Sequence, residues 1–100
     1  MEHRMAHRFA ISLPVVLYAR GSVFAHGVSR NIGLSGMYIQ MEPGLLHRNT
    51  MIEVEVPAMG LRIPALVIHC DEEGVGLSFE EAATLGQMRY LRQLLLRLAK

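Results

Sequence analysis

Two arginines stand four residues apart near the start of the chain, Arg4 and Arg8 in "RMAHR", and a glycine-containing stretch, "RNIGLSG", follows at residues 30–36. Guanidinium forks at i and i+4 can converge on one polyanion, and each fork matches a phosphate or a guanine edge. In the second stretch, Asn31 supplies both a donor and an acceptor. Gly33 and Gly36 specify backbone that is left-handed or otherwise intolerant of a Cβ, so that N–H groups can approach a phosphate or base edge closely. The chemistry on offer is an anion-binding site in two halves. Arg30, next to Asn31, either adds a third cation or faces solvent at a strand end.

The elements that must position these residues are mostly strands. Phe9 to Tyr18 is rich in β-branched and aliphatic residues, with Pro14 tolerable only on an edge or at a bulge. "ARGS" turns the chain into "VFAHGVS", the return strand of a hairpin, and "MYIQM" resumes after the glycine stretch. "MIEVEV" alternates, with Met51, Glu53 and Glu55 on a wet face and Ile52, Val54 and Val56 on a dry one. "LRIPALVIHC" and "VGLSF" complete about six strands, the pattern of a small antiparallel barrel or sandwich. Glu80 and Glu81 then favour a helix N-terminus, and Leu85, Met88, Leu91, Leu95 and Leu98 recur at helical spacing, so a helix is expected over about 81–99. The whole reads as one domain, 1–100, without repeats.

Composition narrows the function. A hydrophobic fraction of 51% suffices for one core, and a net charge of +1 does not indicate a general nucleic-acid or membrane-surface binder. The basic residues number 10 and all but Lys100 are arginine. No stretch reaches the roughly eighteen apolar residues of a membrane span, so no membrane insertion is expected. Arg4, Arg8 and the apolar run after them resemble a secretory signal only superficially, because Ser12 and Pro14 interrupt the run and Arg20 follows at once. The lone Cys70 cannot form an internal disulfide; after an apolar run it is expected to be buried, which suits a reducing cytoplasm.

No catalytic constellation emerges, so an enzyme is not expected. Ser12, Ser22, Ser29, Ser35 and Ser78 lack a nucleophile-elbow context, and Glu53 and Glu55 read as solubilising charge. His3 and His7 have the four-residue spacing of a helical zinc pair without further ligands, so neither metal nor cofactor is expected. Aromatic residues are few and no basic stripe interleaves them, which argues against single-stranded nucleic acid.

With these residues in place, the chain resembles the PilZ domain family, bacterial receptors for cyclic di-GMP, whose motifs are Arg-x-x-x-Arg and (Asp/Asn)-x-Ser-x-x-Gly. Arg4 and Arg8 match the first; Asn31 and Gly36 match the second, while Gly33 stands where the family has serine. The resemblance runs over nearly the whole chain and implies an all-β fold, a six-stranded antiparallel PilZ-like β-barrel with a C-terminal α-helix. It implies that a flexible arginine-bearing segment, residues 1–8, wraps over the ligand's phosphates and guanines while the second motif reads a guanine edge. Arg4, Arg8, Arg30, Asn31, Gly33 and Gly36 are then the ligand-binding candidates, and a downstream protein receives the signal. Losing the serine hydroxyl removes one hydrogen bond, about 0.5–1.5 kcal/mol or roughly three- to tenfold in affinity. The alternative is a degenerate adaptor that binds protein and no nucleotide.

Overall fold

The computed structural model describes residues 7–98. Seven strands, β1 (Arg8–Phe9), β2 (Pro14–Ala19), β3 (Ser22–Gly33), β4 (Gly36–Gln40), β5 (Met51–Val56), β6 (Leu61–Cys70) and β7 (Gly74–Ser78), precede one helix, α1 (Leu85–Leu98). Every pairing is antiparallel. The order β3-β2-β5-β6-β7-β4 closes on itself through β3–β4 pairing, giving a six-stranded barrel, and the two-residue β1 is added to β3. Closure leaves the six strands few free edges.

Alternation along the strands fills the barrel. Ile52, Val54 and Val56 are buried while Met51 is exposed, which is the expected pattern for β5. On the wet face Arg62 holds Glu53 at 2.9 Å and lies 3.7 Å over the Tyr18 ring, whose hydroxyl donates to Glu55. Val15, Leu17, Ile39, Ile63, Val67, Leu77 and Phe79 complete the interior, with Met37 among them and Met41 packed at its margin. The apolar run at residues 9–18 is not one strand. Its first part pairs briefly as β1, and β2 begins at Pro14, a position that needs no ladder N–H.

The helix starts later than its acidic flank implies. Residues 80–83 form a turn, and the N-terminus is set at Thr84: its Oγ1 accepts the Gln87 N–H at 3.1 Å while its own N–H donates to Gln87 Oε1 at 2.7 Å. This capping box satisfies two end groups without help from Glu80 or Glu81. Only Leu91 and Leu95 of the expected stripe are fully buried, closing the barrel end, whereas Leu85 and Leu98 are exposed. Tyr90 ties the helix to the β5–β6 connection, its hydroxyl donating to the Gly60 carbonyl at 3.2 Å.

Cys70 is exposed, not buried, its thiol 3.4 Å from the Leu46 carbonyl. The physical reason is register. A shift between Val67 and His69 breaks the alternation of β6, and Ile68, His69 and Cys70 run on past the core.

Candidate ligand site on the outside of β3

The site is built on a bulge. β3 pairs with β4 through Ser29↔Ile39 and then Asn31↔Tyr38, so Arg30 is the extra residue. Strict alternation from buried Ser29 would send Asn31 inward and Ile32 outward. The bulge reverses this, burying Ile32 and leaving Asn31 partly exposed outside the core.

Arg8 reaches Asn31 from the other side of β3. β1 pairs Arg8 with Gly33 and Phe9 with Ile32. From there the Arg8 side chain runs diagonally along β3, and its Nη1–H donates to Asn31 Oδ1 at 2.8 Å, joining residues 23 apart in sequence. Partial burial lowers the Arg8 pKa from its usual 12.5, which still leaves a cation at neutral pH. The connecting segment is anchored by Ser29, whose hydroxyl donates to the Ile11 carbonyl at 2.6 Å and accepts the Leu13 N–H at 3.0 Å. Phe9, Ile11 and Leu13 alternate onto the core margin.

The glycines act by closeness, not by left-handed backbone, since the positive-φ glycines are Gly21, Gly44 and Gly60. A Cβ at Gly33 would overlap the His7 carbonyl oxygen and come within 3.3 Å of Arg8 Cγ; one at Gly36 would overlap the Leu77 carbonyl oxygen across the β4–β7 ladder. Leu34 and Ser35 alone make the bend between β3 and β4.

Of the residues singled out from sequence, Arg8, Asn31 and Gly33 converge. Arg4 and His3 lie outside the described residues, and His7 stacks edge-on against Phe9. Arg30 points to a neighbouring group: its guanidinium meets Glu73 at 3.0 Å and lies 5.4 Å over the Tyr38 ring.

That neighbouring group gave no signal in the sequence, because its members are scattered over β3, β4 and the β6–β7 hairpin. Tyr38 donates to Asp71 Oδ1 at 2.6 Å, and His69 Nε2 lies 3.0 Å from Asp71 Oδ2. Asp71 Oδ1 also accepts the N–H groups of Glu73 and Gly74. The Tyr38 hydroxyl and these N–H groups hold the Asp71 carboxyl well below the usual carboxylate range. Desolvation, with the Asp71 bond second, pushes the Tyr38 phenol up to about 12. A shallow depression elsewhere, lined by Tyr18, Arg20, Met51 and Glu53 among others, contains none of the candidate ligand residues.

A closed antiparallel barrel followed by a C-terminal helix, with an arginine strand laid beside an Asn–Gly edge, defines a class of small domain. The PilZ domain family profile matches residues 2–97, and the chain belongs to that family, whose members include receptors for cyclic di-GMP. Among solved structures it is similar to the PilZ domain of CeSA from a cellulose-synthesising bacterium, with a TM-score of 0.74 and 23% identity over 94% of this chain and 99% of that one. It is also similar to an uncharacterised Legionella protein, with a TM-score of 0.61 and 12% identity over 93% of this chain and 94% of that one. At these identities the likenesses speak to the fold. A search of curated proteins finds no significant match.

Proposed function

We propose that the chain is a receptor domain for cyclic di-GMP that acts by binding rather than catalysis. The observation that carries this reading is the 2.8 Å bond between Arg8 Nη1 and Asn31 Oδ1, which unites the two motif halves on one surface. Arg8 and Arg4 would hold the phosphates and the O6 and N7 acceptors of guanine, while the Asn31 amide reads a guanine edge. Gly33 and Gly36 let the arm and β7 pack close to the backbone on either side of the Asn31 turn, and Arg30 adds positive charge one residue from Asn31. Engaging Arg4 fixes the segment ahead of β1 against the ligand, and the new surface is what a downstream protein recognises in the bacterial cytoplasm.

The test is a calorimetric titration of cyclic di-GMP into the protein and its Arg8→Ala and Asn31→Ala variants. Binding at micromolar or tighter that either substitution abolishes or weakens at least about tenfold supports the site. Absence of binding at high ligand concentration would favour the second reading, an adaptor with a degenerate nucleotide site, for which the missing hydroxyl at Gly33 is the supporting observation.

A further inference from the structure

Gly33 departs from the family motif, and the structure gives the departure a physical content. The three atoms nearest a Cβ built at this position are His7 O, His7 C and Arg8 Cγ, all on the N-terminal arm and none on the barrel. Gly33 is also the residue that Arg8 faces in the β1–β3 ladder, so the Arg8 stem crosses bare backbone on its way to Asn31. A side chain at residue 33 would occupy the space of that stem and of the His7 carbonyl. The arm would have to lift, and the diagonal contact between Arg8 and Asn31 would be lost.

We infer that Gly33 is a positioning residue: its missing side chain lets β1 dock, so that the ligand-free protein already holds Arg8 beside Asn31, and restoring the family serine weakens ligand binding instead of strengthening it. The bond to Asn31 uses one of five guanidinium donors and falls on Oδ1, and among the described residues nothing accepts from the Asn31 Nδ2 donors. Both groups therefore remain able to contact a phosphate or base edge while touching each other. The hydroxyl given up at residue 33 is offset by a pre-ordered arginine, since ordering done before binding does not oppose binding.

Docking of the arm is a statement about the free protein; the effect on affinity rests on the cyclic di-GMP reading, and two measurements separate them. The first is amide hydrogen exchange at Arg8 and Phe9 without ligand, in the wild type and in Gly33→Ala and Gly33→Ser. Protection is expected in the wild type and loss of it in both variants, with a smaller fall in Tm than Gly36→Ala causes, because the three atoms nearest the added Cβ are all on the arm. The second is cyclic di-GMP titration of the same proteins. If the docked population falls to about one in ten, apparent affinity falls about tenfold. Unchanged protection at residues 8–9 in Gly33→Ser overturns the inference, and so does a Gly33→Ser protein that binds as tightly as the wild type or more tightly. If the wild type binds no cyclic di-GMP, the receptor reading falls and the affinity half of the inference falls with it, while exchange alone decides the positioning role.

Discussion

At the scale of single residues, the arm that carries Arg8 is anchored by a side chain whose own bonds go to the backbone of the segment behind it. Ser29 is 2% exposed, and its hydroxyl bridges the Ile11 carbonyl and the Leu13 N–H at the point where the arm enters the barrel. Ser29→Ala leaves both backbone groups without this partner, a loss of about 1–3 kcal/mol. For a domain of this size each kcal/mol lowers Tm by roughly 4–8 °C. A thermal melt of Ser29→Ala should therefore show a clear drop, together with faster amide exchange at residues 11–13; a Tm within about a degree of wild type would show that the bridge contributes little. Asp71 offers a second test. Because the Tyr38 hydroxyl is the largest cause of its lowered pKa, Tyr38→Phe should move the Asp71 carboxyl upward toward its usual 3.8, read by NMR titration of that carboxyl carbon. A titration curve that does not move would mean that the Glu73 and Gly74 N–H groups suffice.

At the scale of elements, the two motif glycines impose different limits. Gly33 faces a two-residue strand that can lift away, whereas Gly36 faces the Leu77 carbonyl inside the β4–β7 ladder. Gly36→Ala should consequently destabilise the barrel far more than Gly33→Ala, and a denaturant series on the two variants checks the order; equal midpoints would contradict it. How legible these elements were in the sequence depended on what enforces them. β5 was plain because one buried face imposes a period of two. The Asn–Gly edge was located by its motif, yet glycine is compatible with either positive φ or close approach, and only the neighbouring strands decide between them. The bulge at Arg30 and the shift after Val67 leave no mark on composition, so the outward turn of Asn31 is implied by the family motif and not by strand alternation, and the exposure of Cys70 is illegible. The helix start was misplaced because an acidic pair and a Thr–Gln box are competing signals, and the box makes the bonds. Thr84→Ala should lower stability by about 1 kcal/mol, seen as a shifted denaturant midpoint with early fraying of residues 85–88.

For the whole molecule, what matters is how the barrel is held shut. β4 pairs with β3 on one side and β7 on the other, and the Arg30, Tyr38, Asp71 and Glu73 group ties the outside of that seam. Tyr38 and Asp71 set opposite pH limits. The Asp71 pKa is lowered in the folded state, so its contribution is present above about 3.8 and is lost as pH falls toward the lowered value. The Tyr38 pKa is raised from 10.0 to about 12, so its contribution is complete below 10.0 and fades as pH climbs through that interval. Tyr18, whose pKa is raised chiefly by its bond to Glu55, is common to wild type and to any Tyr38 variant. The stability difference between wild type and Tyr38→Phe therefore isolates the seam. Denaturant midpoints taken at pH 7, 9, 10 and 11 should show a constant advantage for wild type up to about pH 10 and a shrinking one beyond. An advantage that stays constant through pH 11 would mean that the phenol ionises equally easily in the folded and unfolded chains, and the Tyr38–Asp71 bond would then have no part in holding the seam.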